Sequence, residues 1–125
     1  MSLRECVFCN LDPRKELNGN ALAMTILDGF PVSPGHTLVI PRRHMETYFE
    51  VTPEERAALW ELVEVTRERL EREYRPDGYN IGINVGRAAG QTVMHLHVHV
   101  IPRYTGDMAD PRGGVRHVIP EKGKY

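Results

Sequence analysis

The chain has 125 residues and a mass of 14.3 kDa, with 41% hydrophobic and 26% charged residues, a composition that suits one soluble globular domain with a modest core. Lys plus Arg number 16 against 17 Asp plus Glu, and a formal net charge of −1 offers no broad basic field for a nucleic-acid polymer or a membrane surface; the expected partner is a small molecule. No segment approaches the roughly 20 apolar residues of a membrane span, no basic region followed by an apolar run is seen near the start, and the expected compartment is the cytoplasm, where thiols stay reduced.

The first chemistry-bearing element is Cys6-Val7-Phe8-Cys9. A Cys-x-x-Cys pair is half of a zinc site, with a redox dithiol or two unrelated small residues as the alternatives. The redox form usually sits in a βαβ unit, and the residues after Cys9 show no such pattern. A four-coordinate site needs two further ligands, and the candidates are His36, His44, His95 and His117.

Ala21–Leu27 and Thr37–Ile40 read as strands on either side of the turn-rich stretch Asp28-Gly29-Phe30-Pro31-Val32-Ser33-Pro34-Gly35. Thr52-Pro53-Glu54-Glu55 supplies an N-cap, a proline at the first helical position and a capping-box glutamate. Leu59, Leu62, Val63, Thr66 and Leu70 come next at helical spacing, which predicts a helix from about Pro53 to Tyr74, ending before Arg75-Pro76-Asp77-Gly78. Beyond it, Tyr79, Ile81, Ile83 and Val85 alternate with Asn80, Gly82 and Asn84 as in a half-buried strand. One helix among several strands favours a meandering antiparallel sheet of about five strands with the helix on one face over a parallel, doubly wound fold. The whole is expected to be a single α+β domain over residues 1–125, with its core at about 6–103 and a tail at 104–125.

The segment Gly86-Arg87-Ala88-Ala89-Gly90-Gln91-Thr92 joins the last two strands. Its glycines permit backbone conformations that turn amides toward an anion, although most glycine-rich connections are only turns. The histidine-rich run beyond it sharpens the reading. His95-Leu96-His97-Val98-His99-Val100-Ile101-Pro102 places imidazoles at alternate positions of an apolar, β-branched run, and on a strand these share one face at a spacing of roughly 7 Å. A zinc ion requires ligands converging at about 2 Å, so at most one or two of the three can share a metal. Acid–base and nucleophilic work on a phosphoryl or acyl group fits the pattern better, with Gln91 and Thr92 bringing an amide and a hydroxyl to the entry of the run.

Gly90-Gln91-Thr92-Val93-Met94-His95-Leu96-His97-Val98-His99-Val100-Ile101-Pro102-Arg103 resembles the signature of the histidine triad (HIT) superfamily of nucleotide hydrolases and transferases, and Pro34-Gly35-His36-Thr37-Leu38-Val39-Ile40-Pro41-Arg42-Arg43-His44 resembles its second landmark. The resemblance implies a homodimeric nucleotide-binding α+β domain of HIT-like fold that cleaves a phosphoanhydride or phosphoramidate at the α-phosphate of a purine nucleotide such as a dinucleoside polyphosphate. It implies that His97 is the nucleophile and that His99 meets the phosphate and leaving group. Asn84, Gln91 and Thr92 would line the phosphate site, and Asp28 would meet the ribose hydroxyls. In the zinc-containing members the first histidine of the motif is a metal ligand, so Cys6, Cys9, His44 and His95 are the implied structural zinc set. A polyphosphate substrate would bring a divalent cation with it. A phosphorylase or other nucleotidyltransferase built on the same covalent intermediate, and a non-catalytic nucleotide sensor, are the alternative functions.

The tail 104–125 lies outside the resemblance. It is expected to be solvated, to contain a strand and to pack against a dimer partner; a second reading has one of its arginines, Arg112 or Arg116, reaching the polyphosphate of an extended substrate.

Overall fold

The computed structural model describes residues 3–125. Four strands, β1 (Ala23–Leu27), β2 (Thr37–Pro41), β3 (Gly78–Gly82) and β4 (Val98–Arg103), form one antiparallel sheet in the spatial order β1-β2-β4-β3, and the helix α1 (Pro53–Glu73) packs on one face of it. This is the expected α+β arrangement, with four strands where about five were expected. The chain before β1 accounts for the difference. Leu17–Asn20 runs beside β1, with Leu17 N–H donating to Thr25 O and Thr25 N–H donating to Asn18 O at 2.9 Å each, yet only an isolated bridge between Gly19 and Met24 results. The Asn20 side chain turns its oxygen onto the N–H groups of Leu22 and Ala23, and this local bonding ends the pairing.

The helix starts where the sequence places it. Thr52 Oγ1 accepts from Glu55 N–H at 3.1 Å, the Glu55 carboxylate accepts from Thr52 N–H at 2.9 Å, and Pro53 opens the first turn. Ala58, Leu59, Leu62, Val63 and Leu70 form its buried stripe and meet Ala23, Val39, Val98 and Val100 of the sheet. Each large apolar side chain buried this way contributes about 1.5–3 kcal/mol relative to exposure. Glu55 also accepts from Arg43 through both carboxylate oxygens at 2.8 Å each, and this guanidinium holds its carboxyl down to about 2. The start of α1 is thereby tied to the segment that carries His44.

The opposite face of the sheet carries Ile26, Leu38 and Ile40, covered in part by Phe8, Leu11 and Met24. Strand register places Ile26, Leu38, His99 and Gly82 in one row across all four strands. His99 therefore stands in the open part of this face, with a glycine as its neighbour on β3.

Two sequence expectations change. The three alternating histidines do not share one strand face, because β4 begins only at Val98 and includes His99 alone. The lead-in is held elsewhere: Leu96 N–H donates to Met45 O at 2.8 Å instead of to a neighbouring strand, so His95 and His97 sit in irregular backbone and can point to different places. The tail forms no strand. It makes short 3-10 turns at Gly114–Val118 and Pro120–Lys122, the first of which folds back beside β3.

The shared role of Glu55 gives a stability test. Thr52→Ala, which removes one cap bond, should lower unfolding free energy by about 1 kcal/mol in urea titrations. Glu55→Ala should cost more, since it also leaves Arg43 without its carboxylate; equal losses would show that the Arg43 pair contributes nothing.

Candidate active site and metal cluster

His97 is fixed by the backbone immediately before it. Its Nδ1 lies 2.8 Å from the His95 carbonyl oxygen, and because a carbonyl only accepts, the ring proton resides on Nδ1. Nε2 then keeps its lone pair. The edge of Phe8 at 5.2 Å and the ring of His99 at 5.0 Å, measured between centroids, hold the imidazole from two sides.

His99 presents the opposite polarity, and His36 is the reason. The backbone N–H of Val32 donates to His36 Nδ1 at 3.0 Å, which requires the His36 proton to be on Nε2. That N–H faces His99 Nδ1 at 2.9 Å, with Asp28 Oδ2 at 3.4 Å as a second acceptor. His99 Nδ1 accepts, so its own proton sits on Nε2. Burial pushes His99 down to about 4, and the neighbouring His97 and His36 push in the same direction, while Asp28 opposes them. Burial likewise lowers His36. Both imidazoles are neutral at pH 7, and the site offers one nitrogen lone pair, on His97, beside one N–H donor, on His99.

His97 and His99 open onto a cleft of about 630 Å3 whose lining includes Asp28, Asn84 and Thr92. Four of the expected substrate residues, Asp28, Asn84, Thr92 and His99, are thus brought together with the expected nucleophile. Asp28 uses Oδ1 to accept from Phe30 N–H at 2.8 Å, which shapes the turn after β1 and leaves Oδ2 near His36. The side chains of Asn84 and Thr92 form no hydrogen bond among the described residues. Gln91 is placed differently from the expectation. It is buried behind the loop, its Oε1 accepting from Gly86 N–H at 2.8 Å and its Nε2 donating to Glu46 O at 2.7 Å and Val93 O at 3.1 Å, so the amide is consumed in holding the loop. Gly86 and Gly90 carry φ of 90° and 92°, the left-handed region in which a side chain would be strained.

Two residues of the site were not assigned to it from the sequence. His36 was only one of several possible metal ligands, although its parity with Leu38, which pairs with His99, was a readable hint. Phe8 lies inside the cysteine motif and had no signal of its own.

His95 turns away from the cleft and is fully buried. Its Nε2–H donates to Pro41 O at 2.8 Å, which leaves Nδ1 facing Cys6 Sγ at 3.3 Å and Cys9 Sγ at 3.5 Å; His44 Nδ1 lies 3.3 Å from Cys9 Sγ. The four donor atoms of Cys6, Cys9, His44 and His95 all lie within 4.8 Å of one another. A tetrahedral zinc with ligands at about 2.0–2.3 Å sets donor-to-donor separations of roughly 3.3–3.8 Å, and a soft S2N2 set suits that ion. Burial and the adjacent Cys6 push the Cys9 thiol up to about 11.

Asp28, His36 and His99 also gather three donor atoms, yet they do not suit a metal. A ligating His36 Nε2 would need to shed its proton to Nδ1, where it would meet the Val32 N–H head-on. The cluster is a proton-ordering network. His117, the remaining candidate ligand, lies in the tail with Nε2 bonded to Arg112 O at 2.7 Å.

The lowered His99 value has a definite sign. Against an ordinary imidazole value near 6.5, the folded chain binds fewer protons than the unfolded chain between about 4 and 6.5. Stability is complete above the upper limit and falls as pH drops toward the lower one. Melting temperatures should follow this slope, and His99→Asn should flatten it; parallel slopes for the two proteins would exclude His99 as its source.

The HIT domain model matches residues 13–106. The adenylylsulfatase HINT3 of Arabidopsis thaliana is 36% identical over 107 residues, 82% of this chain and 54% of that protein. The AP-4-A phosphorylase of Mycobacterium tuberculosis is 37% identical over 87 residues, 69% of this chain and 45% of its own length. Among solved structures, a zinc-bound histidine triad family protein from Mycobacterium smegmatis superposes with a TM-score of 0.78 at 35% identity, covering 87% of this chain and 82% of that one. With this domain match and this structural likeness, the chain belongs to the HIT family.

Proposed function

We infer that the protein is a nucleotide hydrolase that cleaves a phosphoanhydride or phosphoramidate bond at the α-phosphate of a purine nucleotide through a nucleotidyl-His97 intermediate. One observation carries this reading: the backbone orders the protons so that His97 Nε2 offers a lone pair beside the N–H of His99 Nε2. A displacement at phosphorus needs both, one to form the new bond and one to protonate the departing atom.

In the first step His97 Nε2 bonds to the α-phosphorus, the bond to the leaving group breaks, and the leaving oxygen or nitrogen takes the proton from His99 Nε2. His36 keeps its own proton on Nε2, shared with His99 Nδ1, so the proton given up by His99 Nε2 is replaced only in the second step. In the second step water attacks the same phosphorus, gives its proton back to His99 and releases the nucleoside monophosphate. Thr92, Asn84 and the amides of the Gly86–Gly90 loop meet the charged oxygens, and Asp28 meets the ribose hydroxyls. Gln91 acts from behind by holding the loop in shape.

Cys6, Cys9, His44 and His95 are read as a structural zinc site. Bound there, zinc would supply no reaction chemistry and would fasten the Cys6–Cys9 segment, hence Phe8, to the histidine lead-in. The unpaired edge of β3, with Ile81 exposed, supports the expected homodimer. The phosphorylase among the relatives keeps a second outcome in view, in which inorganic phosphate replaces water in the second step.

His97→Ala should lower turnover of adenosine phosphoramidate and of diadenosine polyphosphates by several orders of magnitude while nucleotide binding persists, and acid quenching of the native enzyme should trap labelled nucleotide on His97. Robust turnover by the variant would remove the assignment. Assays with and without added phosphate separate hydrolysis from phosphorolysis by their products. Elemental analysis of protein prepared without chelator should find one zinc per chain, and Cys9→Ser should lose it together with thermal stability; metal-free native protein would reduce the pair to a simple dithiol.

A further inference from the structure

The reaction steps leave one buried charge unused. Arg69 lies on the inner side of α1, in the stripe that includes Thr66 and Leu70, and is only 8% exposed. Among the described residues its one carboxylate contact is with Glu73 at 3.4 Å, a side chain 55% exposed, and its Nε–H has no partner. A guanidinium withdrawn from water costs free energy that so loose a pair does not recover, and an apolar side chain would fill the place at less cost. The charge does secure one short bond. Arg69 Nη2 donates to Thr37 Oγ1 at 2.7 Å, and Thr37 Oγ1 donates to the Gly35 carbonyl at 2.8 Å.

That carbonyl belongs to the planar peptide unit that joins Gly35 to His36. The other end of the unit is held as well, since His36 N–H donates to Ser33 O at 3.1 Å. Pinned at oxygen and at nitrogen, the unit fixes the direction in which the His36 side chain leaves the backbone. The pin is needed here because Gly35, at φ 91°, is a glycine and tolerates more than one orientation of this peptide. The other polar contacts of the turn lie elsewhere: Ser33 Oγ donates to Pro102 O and the Tyr104 hydroxyl donates to Pro34 O, at 2.6 Å each. His36 and Thr37 are adjacent along an extended backbone and point to opposite faces, so a bond made on the helix side sets a ring on the cleft side.

We propose that Arg69 is a positioning residue for the proton on His99: acting through Thr37, it holds His36 where the Val32 N–H meets Nδ1, and so keeps the donor proton on His99 Nε2. The proposal rests on the α-phosphate chemistry inferred above. With the peptide loosened, His36 Nδ1 loses the Val32 N–H and can carry the ring proton itself. Its Nε2 then faces His99 with a lone pair, and His99 moves its own proton to Nδ1 to meet it. Neither ring gains or loses a proton; only the tautomers change. His97 can still bond to phosphorus, but the departing atom finds no proton at His99 Nε2.

The tautomers are read from imidazole nitrogen chemical shifts of isotope-labelled protein. Native protein should show His36 protonated on Nε2 alone, and Arg69→Met, which keeps most of the side-chain bulk, should show the proton shared between both nitrogens. Turnover gives the second readout, on the N-butyl amide of adenosine monophosphate, whose amine needs a proton to leave, and on its p-nitrophenyl ester, whose phenolate does not. The ratio of kcat for the ester to kcat for the amide should rise at least about tenfold in Arg69→Met, part of the roughly hundredfold or more that a placed acid contributes. That ratio is read on a single preparation, so it does not depend on how much of the variant is folded. Thr37→Val, similar in shape, should reproduce both changes and carries the test if Arg69→Met does not fold; Thr37→Ser, which keeps the hydroxyl, should retain both native values. A native His36 protonated on Nδ1, an unchanged tautomer in the variants, or a changed tautomer with an unchanged ratio overturns the proposal. If native protein turns over neither substrate, the hydrolase reading fails, and the His36 tautomer in the variants alone decides the role of Arg69.

Discussion

Three backbone polar groups decide which nitrogen of each buried imidazole carries a proton, and the chemistry available to the site depends on that choice. The His95 carbonyl puts the His97 proton on Nδ1, the Val32 N–H forces the His36 proton to Nε2 and so orders His99, and the Pro41 carbonyl leaves His95 Nδ1 free toward the cysteines. Backbone groups are well suited to this task, since neither a carbonyl nor an amide titrates and their positions are set by the fold. Histidine alone is ambiguous, with each nitrogen able to donate or accept. Here the ambiguity is removed three times in different senses, which yields a lone pair at His97, a donor at His99 and a nitrogen turned toward Cys6 and Cys9 at His95.

The same logic separates two donor clusters that look alike in composition. Cys6, Cys9, His44 and His95 converge with the His95 proton turned outward onto Pro41, whereas His36, beside Asp28 and His99, is obliged to keep a proton where a ligand would need a lone pair. Their proximity still matters mechanically. Phe8 sits between the two cysteines and lays its ring edge against both His95 and His97, so whatever fastens Cys6 and Cys9 also fastens one wall of the cleft that holds His97 and His99. From the other direction, Glu55 caps α1 and grips Arg43, the residue before His44. A continuous set of contacts thus runs from the helix start through the cysteine cluster to His97.

The tail changes character between sequence and structure. Its basic residues invite an electrostatic reading, but Arg112 and Arg116, like Arg103 at the end of β4, are satisfied locally by Asp107, Asp110 or backbone carbonyls. The tail side chains left to line the open sheet face are Val115, His117 and Val118. A charge whose partner lies a few residues away is unavailable to a ligand, and the distinction is invisible until the turn conformation is known.

By itself the sequence determined the helix, since a capping box and a 3.6-residue stripe are local signals that the Thr52–Glu55 bonds and the buried Leu59, Leu62 and Leu70 reproduce. It also determined β1 and β2 to within two residues, and the motif residues that meet at the cleft and at the cysteine cluster. Tertiary structure decided the rest. The alternation of His95, His97 and His99 implied one strand face, but Leu96 bonds to Met45 instead of to a strand, and this long-range hydrogen bond splits the run between two sites. Gln91 carried the right chemistry for a phosphate, yet its amide is spent on Gly86, Glu46 and Val93. His36 gained its role only because β2 pairs with β4, which brings together residues 63 positions apart. Local spacing specifies elements because their hydrogen bonds close within a few residues; it cannot specify which nitrogen of a ring is left free, because that is set by whichever distant backbone group the fold brings against it.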